Sequence, residues 1–143
     1  MKRVVVDASV VLKWFLPDEE DAERALALLR RFVAGRLDLV APSLLDYEVV
    51  NSLLVAGRRG RLGEPLVERA IESFIGLGVP TRDLPEFHRE IRKVAAACRC
   101  SGHDAAYVAL ALKDGIPLIT ADARLAIAAA SVHKDILVLG TTA

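Results

Sequence analysis

The sequence predicts a three-layer α/β fold, a mainly parallel central sheet flanked by helices, and two observations carry that prediction. Short apolar runs alternate along the chain with longer stretches of helical periodicity, the order that strand–helix–strand crossovers produce. The first run, Val4-Val5-Val6, is apolar at consecutive rather than alternate positions, which marks a strand covered on both faces, as in a parallel sheet.

The elements follow in order. A strand over 3–7 leads at once into a mostly apolar helical stretch over 8–15 that stops near Pro17, because proline cannot continue a helix. Asp18 is placed to cap a longer helix over 19–34, which Gly35 ends. Residues 38–41 read as a second strand, and Ser43 opens a helix that stops at Gly57. Two amphipathic helices over 64–76 and 84–99 are separated by a short extended piece at 79–82. A helix over 101–114, a strand over 117–120, a helix over 122–131 and a strand over 136–139 complete the alternation. No internal repeat, low-complexity segment or long linker interrupts it, so residues 1–143 read as a single domain.

Composition narrows the classes of function. The chain is 53% apolar with a mean hydropathy of +0.35, yet no apolar stretch reaches the roughly 18 residues of a membrane span, so the excess belongs in a core or a protein interface. Only three apolar residues separate the basic start from Asp7, too few for a signal peptide, and a cytoplasmic location without membrane contact is expected. Cys98 and Cys100 are one residue apart, too tight for an ordinary disulfide; they read as buried thiols in a reducing compartment. Lys plus Arg and Asp plus Glu both number 19, so there is no global positive field, and nucleic-acid binding would rest on a local patch.

Four acids stand out. Asp7 and Asp122 each follow a strand and precede a helix, the place where parallel sheets bind ligands, although for either alone a helix cap is the more ordinary reading. Asp104 fits a capping box in Ser101-Gly-His-Asp104, but the helix it starts is apolar around its whole circumference, which makes it a buried helix. Glu48 shares a narrow polar stripe with Asn51 and Ser52 on an otherwise apolar helix, and a buried carboxylate there needs a cation or a proton. Two carboxylates about 4 Å apart repel by roughly 4 kcal/mol at an effective dielectric near 20. A cluster of four therefore calls for a cation or for protonation of some members, and a hard divalent ion with oxygen ligands serves best.

These pieces together resemble the PIN-domain ribonucleases, and more narrowly the VapC toxins of toxin–antitoxin pairs. The resemblance runs end to end and rests on Val-Val-Asp7-Ala-Ser9-Val-Val-Leu-Lys-Trp-Phe-Leu-Pro, Pro42-Ser-Leu-Leu-Asp-Tyr-Glu48-Val-Val-Asn51, His103-Asp104-Ala-Ala-Tyr-Val-Ala-Leu-Ala and Leu-Ile-Thr120-Ala-Asp122-Ala-Arg-Leu. It implies a three-layer PIN-like fold, with Asp7, Glu48, Asp104 and Asp122 as catalytic residues holding Mg²⁺ or Mn²⁺, and Ser9, Asn51 and Thr120 bonding ligands or substrate. It also implies RNA cleavage by metal-activated water that leaves a 5′-phosphate, homodimers, and a cognate antitoxin protein laid over the groove. The family often has Tyr where this chain has His103, so no role is carried over to that side chain.

Other signals are weaker. The segment 57–63, Gly-Arg-Arg-Gly-Arg-Leu-Gly, either grips RNA phosphates through Arg58, Arg59 and Arg61 or places cations at a helix C-terminus. Cys98, Cys100 and His103 lack a fourth ligand nearby for zinc. His88 and His133 read as surface residues without partners, and Trp14 and Phe15 as core or as a subunit contact. A haloacid-dehalogenase-type phosphatase needs a second acid where Ser9 stands, and a receiver-like domain needs an acidic pair and a late lysine that cannot be placed. The alternative that stays open is a catalytically weak PIN domain acting as an RNA- or protein-binding module.

Overall fold

The computed structural model describes residues 2–140, apart from the side chains of Leu84 and Glu86. Five strands form one all-parallel sheet: β1 (Lys2–Val6), β2 (Leu37–Pro42), β3 (Thr81–Arg82), β4 (Leu118–Thr120) and β5 (Ile136–Val138), in the order β3-β2-β1-β4-β5. Seven α-helices are present among the described residues: α1 (Ala8–Val11), α2 (Ala22–Val33), α3 (Leu44–Arg58), α4 (Glu64–Leu77), α5 (His88–Cys98), α6 (Gly102–Asp114) and α7 (Ala123–Ala129). From β1 the chain moves outward through β2 to β3, then returns to lay down β4 and β5 on the other side. Right-handed crossovers then place the helices before β3 on one face of the sheet and those after it on the other. The direction of winding reverses between β1 and β4, and the carboxyl ends of these two strands frame the crevice where such sheets bind ligands.

The core explains the unbroken apolar runs. Val4, Val5 and Val6 are all buried, as are Leu39, Val40 and Ala41 of β2, because helices cover both faces of these central strands. Helix α6 is buried from Ala105 through Ala111 without interruption and packs against α5, β1 and β2. Its four alanines let it sit close to its neighbours. Gly115, left-handed at φ +64, ends the helix in the way glycine permits.

Three local expectations are corrected by tertiary contacts. Asp18 does not cap α2; it is drawn instead to Arg61, whose Nη2 lies 3.1 Å from Oδ1. The helix begins at Ala22, after Asp21 in a left-handed conformation (φ +62) with no side-chain cap. Gly57 does not end α3 either. It lies inside the helix, where a Cβ would come within 2.9 Å of Val67 Cγ2, so its small size admits α4, and the chain turns later, at Gly60 (φ +76). Finally, the expected helix over 84–99 is a 3-10 turn (Leu84–Phe87) followed by α5.

Candidate active site

Asp7 is the first residue past β1, and its amide donates to the Ile119 carbonyl at 3.0 Å, so the ladder itself fixes it beside β4. Its side chain is buried, at 6% exposure. Carboxylate Oδ2 accepts from Ser9 Oγ at 2.6 Å and from Thr120 Oγ1 at 2.7 Å. Each hydroxyl also accepts a backbone amide: Ala121 N–H bonds Ser9 Oγ at 2.9 Å, and Asp122 N–H bonds Thr120 Oγ1 at 3.0 Å. A hydroxyl has one proton to give, so with both protons directed to Asp7 the 3.3 Å approach between Ser9 Oγ and Thr120 Oγ1 is a contact rather than a bond. Ser9 and Thr120, singled out from sequence, thus join the start of α1 and the end of β4 through one carboxylate oxygen. Oδ1 of Asp7 has no hydrogen bond among the described residues. Burial pushes the Asp7 carboxyl up to about 6; the two hydroxyl bonds oppose this, and the charges of Glu48 and Asp104 add to it.

Glu48 projects from the second turn of α3 and is half-buried. The sequence left it needing a cation or a proton, but the structure supplies a phenol: Tyr107 Oη donates to Oε1 at 2.5 Å. Tyr107 is 1% exposed on α6. Burial raises its pKa first, followed by the bond to Glu48 and then the charges of Glu48, Asp7 and Asp104, so the phenol keeps its proton as a donor. Sequence reasoning missed this residue. The signal was present, because a tyrosine inside a helix buried all round must find a partner for its hydroxyl. Tyr107→Phe is expected to destabilise the protein by about 1–3 kcal/mol, the cost of leaving Glu48 unsatisfied, and to weaken divalent-metal affinity roughly 10- to 100-fold by freeing Glu48 to swing. Chemical denaturation and a metal titration check the two effects.

Asp104 lies in the first turn of α6, where its own amide is capped by Ser101 Oγ at 3.1 Å. No bond back to the Ser101 amide is formed, so only half of the expected capping box is made. Burial raises the Asp104 pKa and so does Asp122, while His103 and the Ser101 hydroxyl lower it. Asp122 caps α7: Oδ1 accepts from Arg124 N at 3.0 Å and Leu125 N at 3.2 Å. Capping is therefore real for Asp122, through one oxygen only. Asn51, the remaining candidate, is exposed and makes no side-chain hydrogen bond among the described residues.

The four acids thus face one end of the sheet at the β1/β4 switch point, and none of them forms an ion pair with a described lysine or arginine. They are not drawn into one cage: no three Asp, Glu, His or Cys side chains among the described residues are gathered closely enough to hold an ion as they stand. Hydroxyls hold Asp7, a phenol holds Glu48 and helix amides hold Asp122, yet the charges of Glu48 and Asp104 still raise the Asp7 pKa and that of Asp122 still raises the Asp104 pKa. The donor set still fits a hard divalent cation. It consists of carboxylate oxygens, and the most buried carboxylate has one oxygen without a bond and no counter-charge. A cavity of about 460 Å³ between α2 and the sheet, lined by Lys2, Leu28 and Leu137 among others, contains none of these acids.

The weaker signals also resolve. Arg61 is held by Asp18 and Glu19. Cys98 is buried and Cys100 half-buried rather than fully so; both are free thiols, whose pKa values burial pushes up. His133, expected to lack a partner, has Nε2 2.9 Å from the Ile116 carbonyl oxygen. Trp14 is core: its Nε1–H donates to the Ala25 carbonyl at 2.9 Å, and Phe15 stacks edge-on between it and Phe74.

Comparisons with known proteins agree on a family. The PIN domain model matches residues 4–131. Ribonuclease VapC3 of Pyrobaculum aerophilum is 37% identical over 130 residues, covering 87% of this chain and 92% of that protein. Ribonuclease VapC9 of Mycobacterium tuberculosis is 34% identical over 122 residues, 85% of this chain and 87% of that protein. The crystal structure of PAE2754 from Pyrobaculum aerophilum superposes with a TM-score of 0.71 at 20% identity, covering 98% of this chain and 91% of that one.

Proposed function

The chain belongs to the PIN domain family, and from that premise we propose that it is an endoribonuclease dependent on Mg²⁺ or Mn²⁺, with Asp7, Glu48, Asp104 and Asp122 as its metal-holding acids. The observation that carries this reading is Asp7: a buried carboxylate with no cationic partner, fixed on one oxygen, with the charges of Glu48 and Asp104 near enough to raise its pKa. Structure without function has little reason to keep such a group.

The chain's own residues do the positioning. Ser9 and Thr120 hold the plane of Asp7, and Tyr107 holds Glu48. Asp104 and Asp122 sit in the first turn of α6 and at the cap of α7, where the unpaired amides of a helix favour negative charge. These acids would hold a divalent ion, which would supply positive charge to make a water more acidic and to offset negative charge on the phosphoryl oxygens. The carboxylates would repel an RNA phosphate in the ion's absence, so the same acids both require the ion and exclude substrate without it.

The test is metal withdrawal on a panel of single-stranded RNAs. EDTA is expected to reduce cleavage to background, Mn²⁺ or Mg²⁺ to restore it, and the ion alone to raise the melting temperature, since it binds the folded state. Hydrolysis that persists in EDTA sinks the reading. The resemblance to VapC toxins supports a role as the toxin of a toxin–antitoxin pair, with RNA as substrate, an antitoxin protein as inhibitor and a homodimer as the working form. No helix among the described residues is long and apolar enough to cross a membrane, in keeping with a cytoplasmic site of action. The presence of all four acids favours activity over a purely binding role.

A further inference from the structure

We propose that Arg59 is a phosphate-binding residue for the RNA strand, and that the strand leaves the acids along the groove between α3 and the 3-10 turn Leu12–Trp14; this rests on the nuclease reading above. Glu48, Ser52 and Val55 of α3 and Arg59, the residue that caps its C-terminus, are spaced i, i+4, i+7 and i+11, which places them on one face within about 60° of each other. The same face that offers Glu48 to the acids therefore carries Arg59 at its far end. A groove of about 220 Å³ follows that face, lined by Leu12, Ser52, Val55, Arg59, Arg61 and one acid, Glu19, among others. The four acids do not line it, but its walls belong to the elements that follow or carry two of them: Leu12 directly follows α1, which begins one residue after Asp7, and Ser52 is one turn beyond Glu48.

Charge selects the occupant. Of the two arginines that line the groove, Arg61 is neutralised by Asp18 and Glu19, and nearby Lys13 faces Glu19 at 3.5 Å. Arg59 is exposed and enters no ion pair among the described residues. With 19 basic and 19 acidic residues overall, no net field draws RNA in, so phosphates flanking the cleavage point need local cations. Eleven residues of helix span about 16 Å at ~1.5 Å each. At roughly 3.4 Å of rise per stacked nucleotide, this is about five nucleotides. Between the two ends, the half-buried Leu12 and Val55 offer apolar surface for sugars and bases, and Ser52 a hydroxyl.

The test compares a trinucleotide with a single-stranded RNA of about twelve nucleotides, long enough to reach the far end of the groove. Arg59→Ala is expected to raise KM for the longer RNA by roughly 3- to 10-fold and to shrink the slope of log binding against log salt by about 0.7. It should leave kcat and the trinucleotide unchanged. Arg59→Lys should recover most of the loss, because a phosphate accepts a point charge. Arg36→Ala, an exposed arginine just before β2 at the opposite end of the strands, controls for loss of one charge. An equal KM for wild type and Arg59→Ala on the longer RNA, or a loss shared by the trinucleotide and accompanied by a lower melting temperature, overturns the proposal. So does an effect confined to binding of an inhibitory protein. Cleavage by wild type in any of these cases leaves the nuclease reading standing, whereas no cleavage of either RNA by wild type removes both.

Discussion

Asp7→Asn is expected to abolish RNA cleavage while making the metal-free protein more stable. The stabilisation follows from the sign of the pKa shift. Asp7 titrates near 3.8 when unfolded and near 6 when folded, so between those values the native chain holds a proton that the unfolded chain has released. Stability therefore rises as pH falls through 6, and the penalty is fully felt above it. A shift of this size corresponds to at most roughly 3 kcal/mol at neutral pH. Asparagine removes the penalty without disturbing the neighbours: its carbonyl can take the place of Oδ2 and accept from Ser9 and Thr120, while its amide fills the place of the unbonded Oδ1. Denaturant titrations in EDTA at pH 5 and pH 7.5 should show the wild type losing stability at the higher pH and the variant much less. Activity with Mn²⁺ should fall by more than ~100-fold, beyond the loss known for residues that only support a metal ligand. A variant that cleaves normally, or is less stable than wild type at neutral pH without metal, contradicts the account of Asp7.

Asp104→Asn should lose cleavage to a similar extent with almost no change in stability. The α6 cap is made by the Asp104 backbone amide and Ser101 Oγ, neither of which the substitution touches. The change removes one negative charge near a helix N-terminus, worth about 0.3–1 kcal/mol, and relieves repulsion from Asp122 that acts in the opposite direction. The contrast is diagnostic. Two acids of one site should be equivalent in activity and different in stability, because one is buried beneath β4 and the other stands half-exposed at a helix end. Unaltered cleavage by Asp104→Asn would remove that residue from the site.

Much of this was legible in local pattern. Strand runs buried on both faces, such as Val4-Val5-Val6, can only be apolar throughout, and a helix such as α6 that is buried from Ala105 to Ala111 shows it by lacking any polar stripe. Helix boundaries were less legible where a distant residue competed for a capping side chain, as Arg61 does for Asp18 across 43 positions. Gly57 looked like a stop signal because periodicity does not reveal that another helix needs the space of its missing side chain.

The sequence by itself determined the α/β alternation and the family resemblance and singled out the four acids as candidates, because periodicity and residue type are local properties that survive in one dimension. Only the tertiary structure decided how those acids are tolerated: Tyr107 reaches Glu48 across 59 positions, and Thr120 reaches Asp7 across 113. Hydrogen bonds of 2.5–2.7 Å depend on where two chain segments end in space. The β1–β4 pairing and the packing of α6 over β1 and β2 set that position, and no spacing along the chain encodes it.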